Sequence, residues 1–337
     1  MSRTRRLAVL GAKLVVAALL IGWLLRAGTL DLGALRLFVD RPELLLANLA
    51  TLAFAVVLGA LRWRLLLRLA DVHLSVARSL QLHLTALFFN IVIPGNIGGD
   101  VLKSVYVARD VTPAQRPTVY LIAFVDRLIG VASLVVIAGV VVVLRGEAVW
   151  ETPGLRELAI IVLILLALTL LAPIVVLVLV GRTVERVEVA RTGSSRVRAL
   201  IRQLVSATRL ISAGPGTLIG ALGLAVVMHL TGMLIFAVLA TAVTADNVSL
   251  WGIASVYPLG MLTLLMPISP SGIGVGHVAF ERLFSLVGLT GGATAFNLFL
   301  IGQTVPCLVG AFPYLTLRRH FAPPTIDEAH AQQAGVS

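Results

Sequence analysis

Uninterrupted apolar runs of about 18 residues or more constrain this chain most, because an α-helix rising 1.5 Å per residue needs about 20 residues to cross a hydrocarbon layer. Six such runs occur, at approximately 7–25, 44–61, 118–144, 158–180, 216–243 and 294–317. Little material remains for a wetted surface. Charged residues are 13% of the 337, about half the usual quarter, and the mean hydropathy is +1.01. The expected fold is all-α: a polytopic membrane helix bundle forming a single domain over 1–320. The first run follows Arg3, Arg5 and Arg6. Its length, and the lack of a small-residue cleavage site before Arg26, make it a retained span rather than a secretory signal.

The formal charge of +11 would suggest nucleic acid in a soluble protein, but in a membrane chain it records orientation. Nucleic acid is therefore not an expected partner. Of 27 basic residues, 19 fall in the N-terminus, 62–78, 100–117, 181–214 and the tail, which are read as cytoplasmic. The segments 26–43 and 145–157 carry most of the remainder, offset by acidic residues such as Asp31, Asp40, Glu147 and Glu151, and are read as external. The basic, partly apolar stretch 181–214 reads as an interfacial helix on anionic lipid, and 321–337 as a disordered tail. Lys13 can snorkel to headgroups. Cys307 is the single cysteine, so neither a disulfide framework nor a cysteine metal site is expected, and no cofactor motif is present.

This topology leaves two apolar stretches, about 79–99 and 251–293, that begin and end on one side of the membrane. Each is expected to be a re-entrant helical hairpin, the first entering from the cytoplasm and the second from outside, as in an inverted repeat around a midplane site. The alternative is two ordinary spans joined by short turns. The hairpin tips read Asn90-Ile-Val-Ile-Pro94-Gly95-Asn96-Ile97-Gly98-Gly99-Asp100 and Pro267-Ile-Ser269-Pro270-Ser-Gly272-Ile-Gly274-Val-Gly276-His277, and both contain Pro-x-x-Ile-Gly. Proline breaks helices and glycine permits positive φ. Such irregular backbone is tolerated at membrane depth only where protein or a wet cavity satisfies it, which marks both tips as candidate substrate-binding elements.

Ionisable side chains in the membrane cost about 2.5–3.5 kcal/mol each on insertion scales and tend to face a cavity or each other. Asp126 and Arg127 lie two turns into the 118–144 run, where they read either as headgroup contacts or as a structural ion pair. Asp100 and Lys103, at i and i+3, share a helix face. Glu281 and Arg282 occupy the matching arm of the second hairpin. His83 and His229 read as core histidines, and His277, at a bend, as either a core or a site residue.

The Asn90…Pro94…Gly98-Gly99-Asp100…Lys103 block, the Asp126-Arg127-Leu128 block and the run from Pro270 to Gly276 together resemble the transmembrane, flippase-like domain of lysylphosphatidylglycerol synthases. The resemblance covers about 5–320. It implies a bacterial or archaeal inner-membrane protein that moves lipids, in some members aminoacylated phospholipids, between leaflets; the basic residues place both termini in the cytoplasm. Two positions depart from the family pattern: Lys103 stands where arginine is common, and His277 replaces an acidic residue, with Glu281 one turn later. The soluble aminoacyl-transferring domain is missing, so synthase activity is not implied.

The leading expectation is a lipid translocase whose partners are membrane lipids: an anionic or aminoacylated phospholipid, or a polyprenyl phosphate. Lys103 and Arg127 would hold phosphate, and Asp100, Asp126 and Glu281 cationic groups. No catalytic motif such as HExxH, a Walker loop or G-x-S-x-G is present. The alternatives are a lipid-modifying enzyme with Asp100 or Glu281 as general base, and an accessory subunit of a separate lipid synthase.

Overall fold

The computed structural model describes residues 32–92, 98–151, 154–187, 214–244, 247–264, 272 and 274–317. Every regular element among them is helical: α1 (Leu32–Asp40), α2 (Pro42–Leu67), α3 (Val76–Val92), α4 (Gly98–Arg109), α5 (Arg116–Arg145), α6 (Glu147–Glu151), α7 (Leu155–Val187), α8 (Pro215–Val243), α9 (Leu250–Thr263), α10 (Val275–Leu286), α11 (Gly292–Val309) and α12 (Ala311–Leu317). Local chemistry sets many of the ends. Proline occupies the first turn of α2, α5 and α8, where its missing N–H costs nothing. Ser249 caps α9 by accepting a 2.9 Å bond from the Gly252 N–H.

Among the described residues four stretches are long and apolar enough to cross a membrane: Pro42–Ala70, Arg116–Arg145, Pro215–Val243 and Gly292–Tyr314. They match four of the expected spans. The run 158–180 lies within the 33-residue α7, which continues through 181–187 into the basic stretch read as an interfacial helix. The run 7–25, most of the basic stretch and the tail from 318 lie outside the described residues. One boundary needs correction: the span expected to stop at 61 continues to Leu67. Arg62, assigned from the sequence to a cytoplasmic loop, is a buried residue of that helix at 8% exposure.

Paired short helices stand where both hairpins were expected, but the second arm of the first runs on to Arg109, through residues the sequence assigned to a cytoplasmic segment. Their arms, α3, α4, α9 and α10, hold 17, 12, 14 and 12 residues, or about 18–26 Å of helix, short of the roughly 30 Å needed to span. Both ends of the first hairpin sit together: Arg78 pairs with Asp110 at 3.6 Å, and the Gln115 amide donates to the Ala70 carbonyl. Both ends of the second meet likewise, with Thr244 and Thr290 hydroxyls 3.2 Å apart and Gly252 against Leu289. The two attachment points lie at opposite ends of the bundle, because α2 and α8 run antiparallel. Leu65 and Leu69 lie against Gly220 and Gly214 at one end, while Leu44 joins the cluster around Phe236 and Leu239 at the other.

A second regularity links the halves. The helices α2-α3-α4-α5 and α8-α9-α10-α11 form two equivalent sets, and each packing contact within or between them has a counterpart when the sets are exchanged. Thus α3 on α11 mirrors α9 on α5, and α2 on α5 mirrors α8 on α11. Side chains follow the same exchange. Gly59 admits the His83 ring and Gly232 admits the Tyr257 ring, and each pair occupies the same positions within its two helices. The fold is an inverted repeat of a span, a re-entrant hairpin and a span.

Candidate functional site

The first hairpin is closed tightly. A Cβ at Gly99 would run into the Ala86 carbonyl, so glycine is required there for close approach rather than for positive φ. Asn90, on the opposite arm, accepts a 2.8 Å bond from the Gly99 N–H and thereby satisfies a donor at the start of α4. In the second hairpin Gly272 and Gly274 do take positive φ, 74° and 81°. Pro94, Asn96, Ser269 and Pro270 lie outside the described residues.

Closing the first hairpin brings α4 onto α5 and α5 onto α2, and a line of five charges results. The Arg62 Nε donates to Asp126 Oδ1 at 2.7 Å. Lys103 Nζ reaches Asp126 Oδ2 at 3.1 Å and Asp100 Oδ1 at 3.0 Å. Arg127 Nε donates to Asp100 Oδ2 at 3.0 Å. The order is Arg62, Asp126, Lys103, Asp100, Arg127, with signs alternating and a cation at each end. Lys103 is 1% exposed and sits 4.9 Å over the Trp63 ring, a cation–π contact.

These pairings alter the roles expected from the sequence. Lys103 was expected to hold phosphate, but both carboxylates occupy it and it does not line the cavity described below. It serves as the counter-ion that allows Asp100 and Asp126 to sit side by side. Asp126 is likewise held between two cations, as a structural ion pair would be.

A cavity of about 310 Å³ opens against this line of charges, at the lower end of the usual range for small-molecule sites. Arg62, Asp100, Asp126 and Arg127 line one wall together with Asn90; Met228 and His229 of α8 and Phe296, Gln303 and Thr304 of α11 complete it. Both halves of the repeat therefore contribute. The helices α5 and α8, with α9, also line a wholly apolar groove of about 350 Å³, formed by residues such as Val136, Val140, Val226 and Leu230.

The second hairpin contributes less than expected. Glu281 is exposed and accepts a bond from the Ala293 N–H at 2.8 Å, capping α11. Arg282 is exposed, and neither residue lines the cavity. His277 Nδ1 accepts a 3.4 Å bond from the Gly274 N–H, and its ring meets Phe296 edge-on at 5.0 Å; Gly276 is buried against Phe296. The second half packs aromatic rings together: Phe236 and Phe299 lie 5.6 Å apart, and Phe280 stacks on Phe296.

Sequence reasoning missed Arg62 and the α11 wall. The available signal for Arg62 was that apolar residues resume after it, at Trp63 and Leu65 to Leu67. Gln303 and Thr304 carry no motif. Among the described residues no group of three or more His, Cys, Asp or Glu is placed to hold a metal.

No curated protein and no solved structure matches the chain. The family model described as the lysylphosphatidylglycerol synthase TM region matches residues 10–310. With four membrane-crossing helices, two opposed hairpins and that match, the chain is a multi-pass membrane protein belonging to the lysylphosphatidylglycerol synthase transmembrane-region family.

Proposed function

We propose that the protein is a lipid translocase of the inner membrane, with cytoplasmic termini, which carries a polar headgroup through the cavity between the hairpins while the tails stay in apolar surroundings. The observation that carries this reading is the pair of spaces lined by α5 and α8: a cavity with charged side chains on one wall and a groove walled only by carbon. Family membership supports a role in membrane-lipid handling. The opposed hairpins and exchangeable halves suit alternating access, in which one repeat rocks against the other around a fixed site. The carboxylates act as counter-ions in this reading, not as general bases, because each is held by two cations. The driving force is an ion gradient or the lipid's own concentration difference, and a separate lipid synthase is the expected source of substrate.

The test is a reconstituted assay following transfer of labelled phospholipids between leaflets. The protein should accelerate transfer, and an Asp100→Ala/Arg127→Ala variant should not. Equal rates for the two would overturn the site.

A further inference from the structure

Asn48 is a polar residue in the apolar first half of α2, and it is fully buried. Its Nδ2 donates to the Leu298 carbonyl of α11 at 3.1 Å, across 250 positions of chain. The amide lies over Gly302, where a Cβ would collide with Nδ2 and Cγ. Its orientation is fixed, because the reverse would set two carbonyl oxygens together. Oδ1 is therefore left buried, with no partner among the described residues. A half-satisfied amide in an apolar contact costs stability, and a leucine of similar size would avoid that cost. What the amide supplies instead is register. Apolar side chains specify helix pairing weakly in lipid, whereas a small residue and an interhelical hydrogen bond fix it, as one buried asparagine does in coiled coils. The seat is specific: four positions to either side of Gly302 stand Leu298 and Pro306, not glycine. Phe296, Leu300, Gln303 and Thr304 of the same helix line the cavity. The equivalent contact, of α8 on α5, has no such pin. Ala221 precedes Gly232 by the interval at which Asn48 precedes Gly59, and it lies in an apolar cluster with Ile129 of α5. We infer that Asn48 is a positioning residue of the transport site: its bond to Leu298 over Gly302 sets the axial register of α11, and with it the place of Gln303 and Thr304 relative to the charged wall.

The role in transport rests on the translocase reading, whereas the register is measured without it. In the full chain with Cys307→Ala, spin labels are placed at the exposed positions Leu46 on α2 and Val309 on α11. Their separation is measured by pulsed electron paramagnetic resonance in nanodiscs, alongside a thermal melt and the leaflet-transfer assay. Asn48→Leu should melt no lower than the parent, yet shift or broaden that separation by up to one helical turn, about 5 Å. It should also slow transfer about tenfold, as misplaced groups do. Gly302→Ala, which fills the seat, should move the same separation and slow transfer likewise. Should Asn48→Leu fail to fold, Gly302→Ala decides by the same two readings. A melting temperature lowered in step with transfer, with the separation unmoved, would make Asn48 structural only and overturn the inference. A moved separation with transfer at the parental rate would overturn the positioning role. A moved separation in a protein whose parent transfers no lipid would instead remove the translocase reading and leave the register pin standing. Parental separations in both variants of a transferring parent would do the reverse.

Discussion

Arg62 and Asp126, 64 positions apart in the chain, form a 2.7 Å ion pair with both side chains less than one-tenth exposed. The pair joins α2 to α5 inside the bundle. Through Lys103 it continues to Asp100 and Arg127, so that three helices are tied by one electrostatic chain.

Asp126 holds two cations, so its neutralisation leaves both undercompensated. Asp126→Asn is expected to cost about 3–5 kcal/mol, the range for breaking a buried pair from one side. A thermal melt of the purified protein in detergent would register this as a large loss of stability, and an Arg62→Met/Asp126→Leu double variant should recover part of it. A single variant as stable as the parent would show that the pair does not hold α2 to α5.

The repeat makes a paired steric prediction. A Cβ at Gly59 would lie 2.6 Å from His83 Nε2, and one at Gly232 would strike the Tyr257 hydroxyl. Gly59→Ala and Gly232→Ala should each destabilise by about 1–3 kcal/mol, the usual cost of overpacking. The defects should be relieved separately, by His83→Ala in the first case and Tyr257→Phe in the second. Melting temperatures of the four single and two double variants provide the check. Failure of either rescue would mean that the ring is not the obstacle.

Glu281 caps α11 from outside the cavity. Glu281→Ala should therefore lower stability by about 1 kcal/mol, as loss of a helix cap does, and leave leaflet transfer at the parental rate. A transfer defect without a stability change would bring Glu281 back into the substrate path.

Topology can be mapped directly. In a Cys307→Ala background, cysteines at Thr112 and Thr290, both exposed, should label from opposite faces of the membrane. The first lies where the opening hairpin returns, and the second where its counterpart returns. Labelling of both from one face would refute the opposed insertion.

Much of the architecture was legible from the chain alone, because its determinants are local. Span length follows from contiguous apolar residues, and the breaks between hairpin arms from clustered proline and glycine. These signals yielded the all-α membrane bundle, the opposed hairpins, the Asp100–Lys103 pair and the family. Local reasoning failed at Arg62, because a charged residue that ends an apolar run looks the same in sequence whether it meets water or a buried carboxylate.

Tertiary structure decided the rest, since each remaining feature depends on partners distant in sequence. Lys103 became a counter-ion because α4 folds it between Asp100 and Asp126, and Glu281 became a cap because α10 points it at α11 rather than at the cavity. Gln303 and Thr304 became cavity wall because α11 packs against α3. Composition and periodicity report each helix's preference for lipid or water. They carry no information about which two side chains, scores of residues apart, will share a contact.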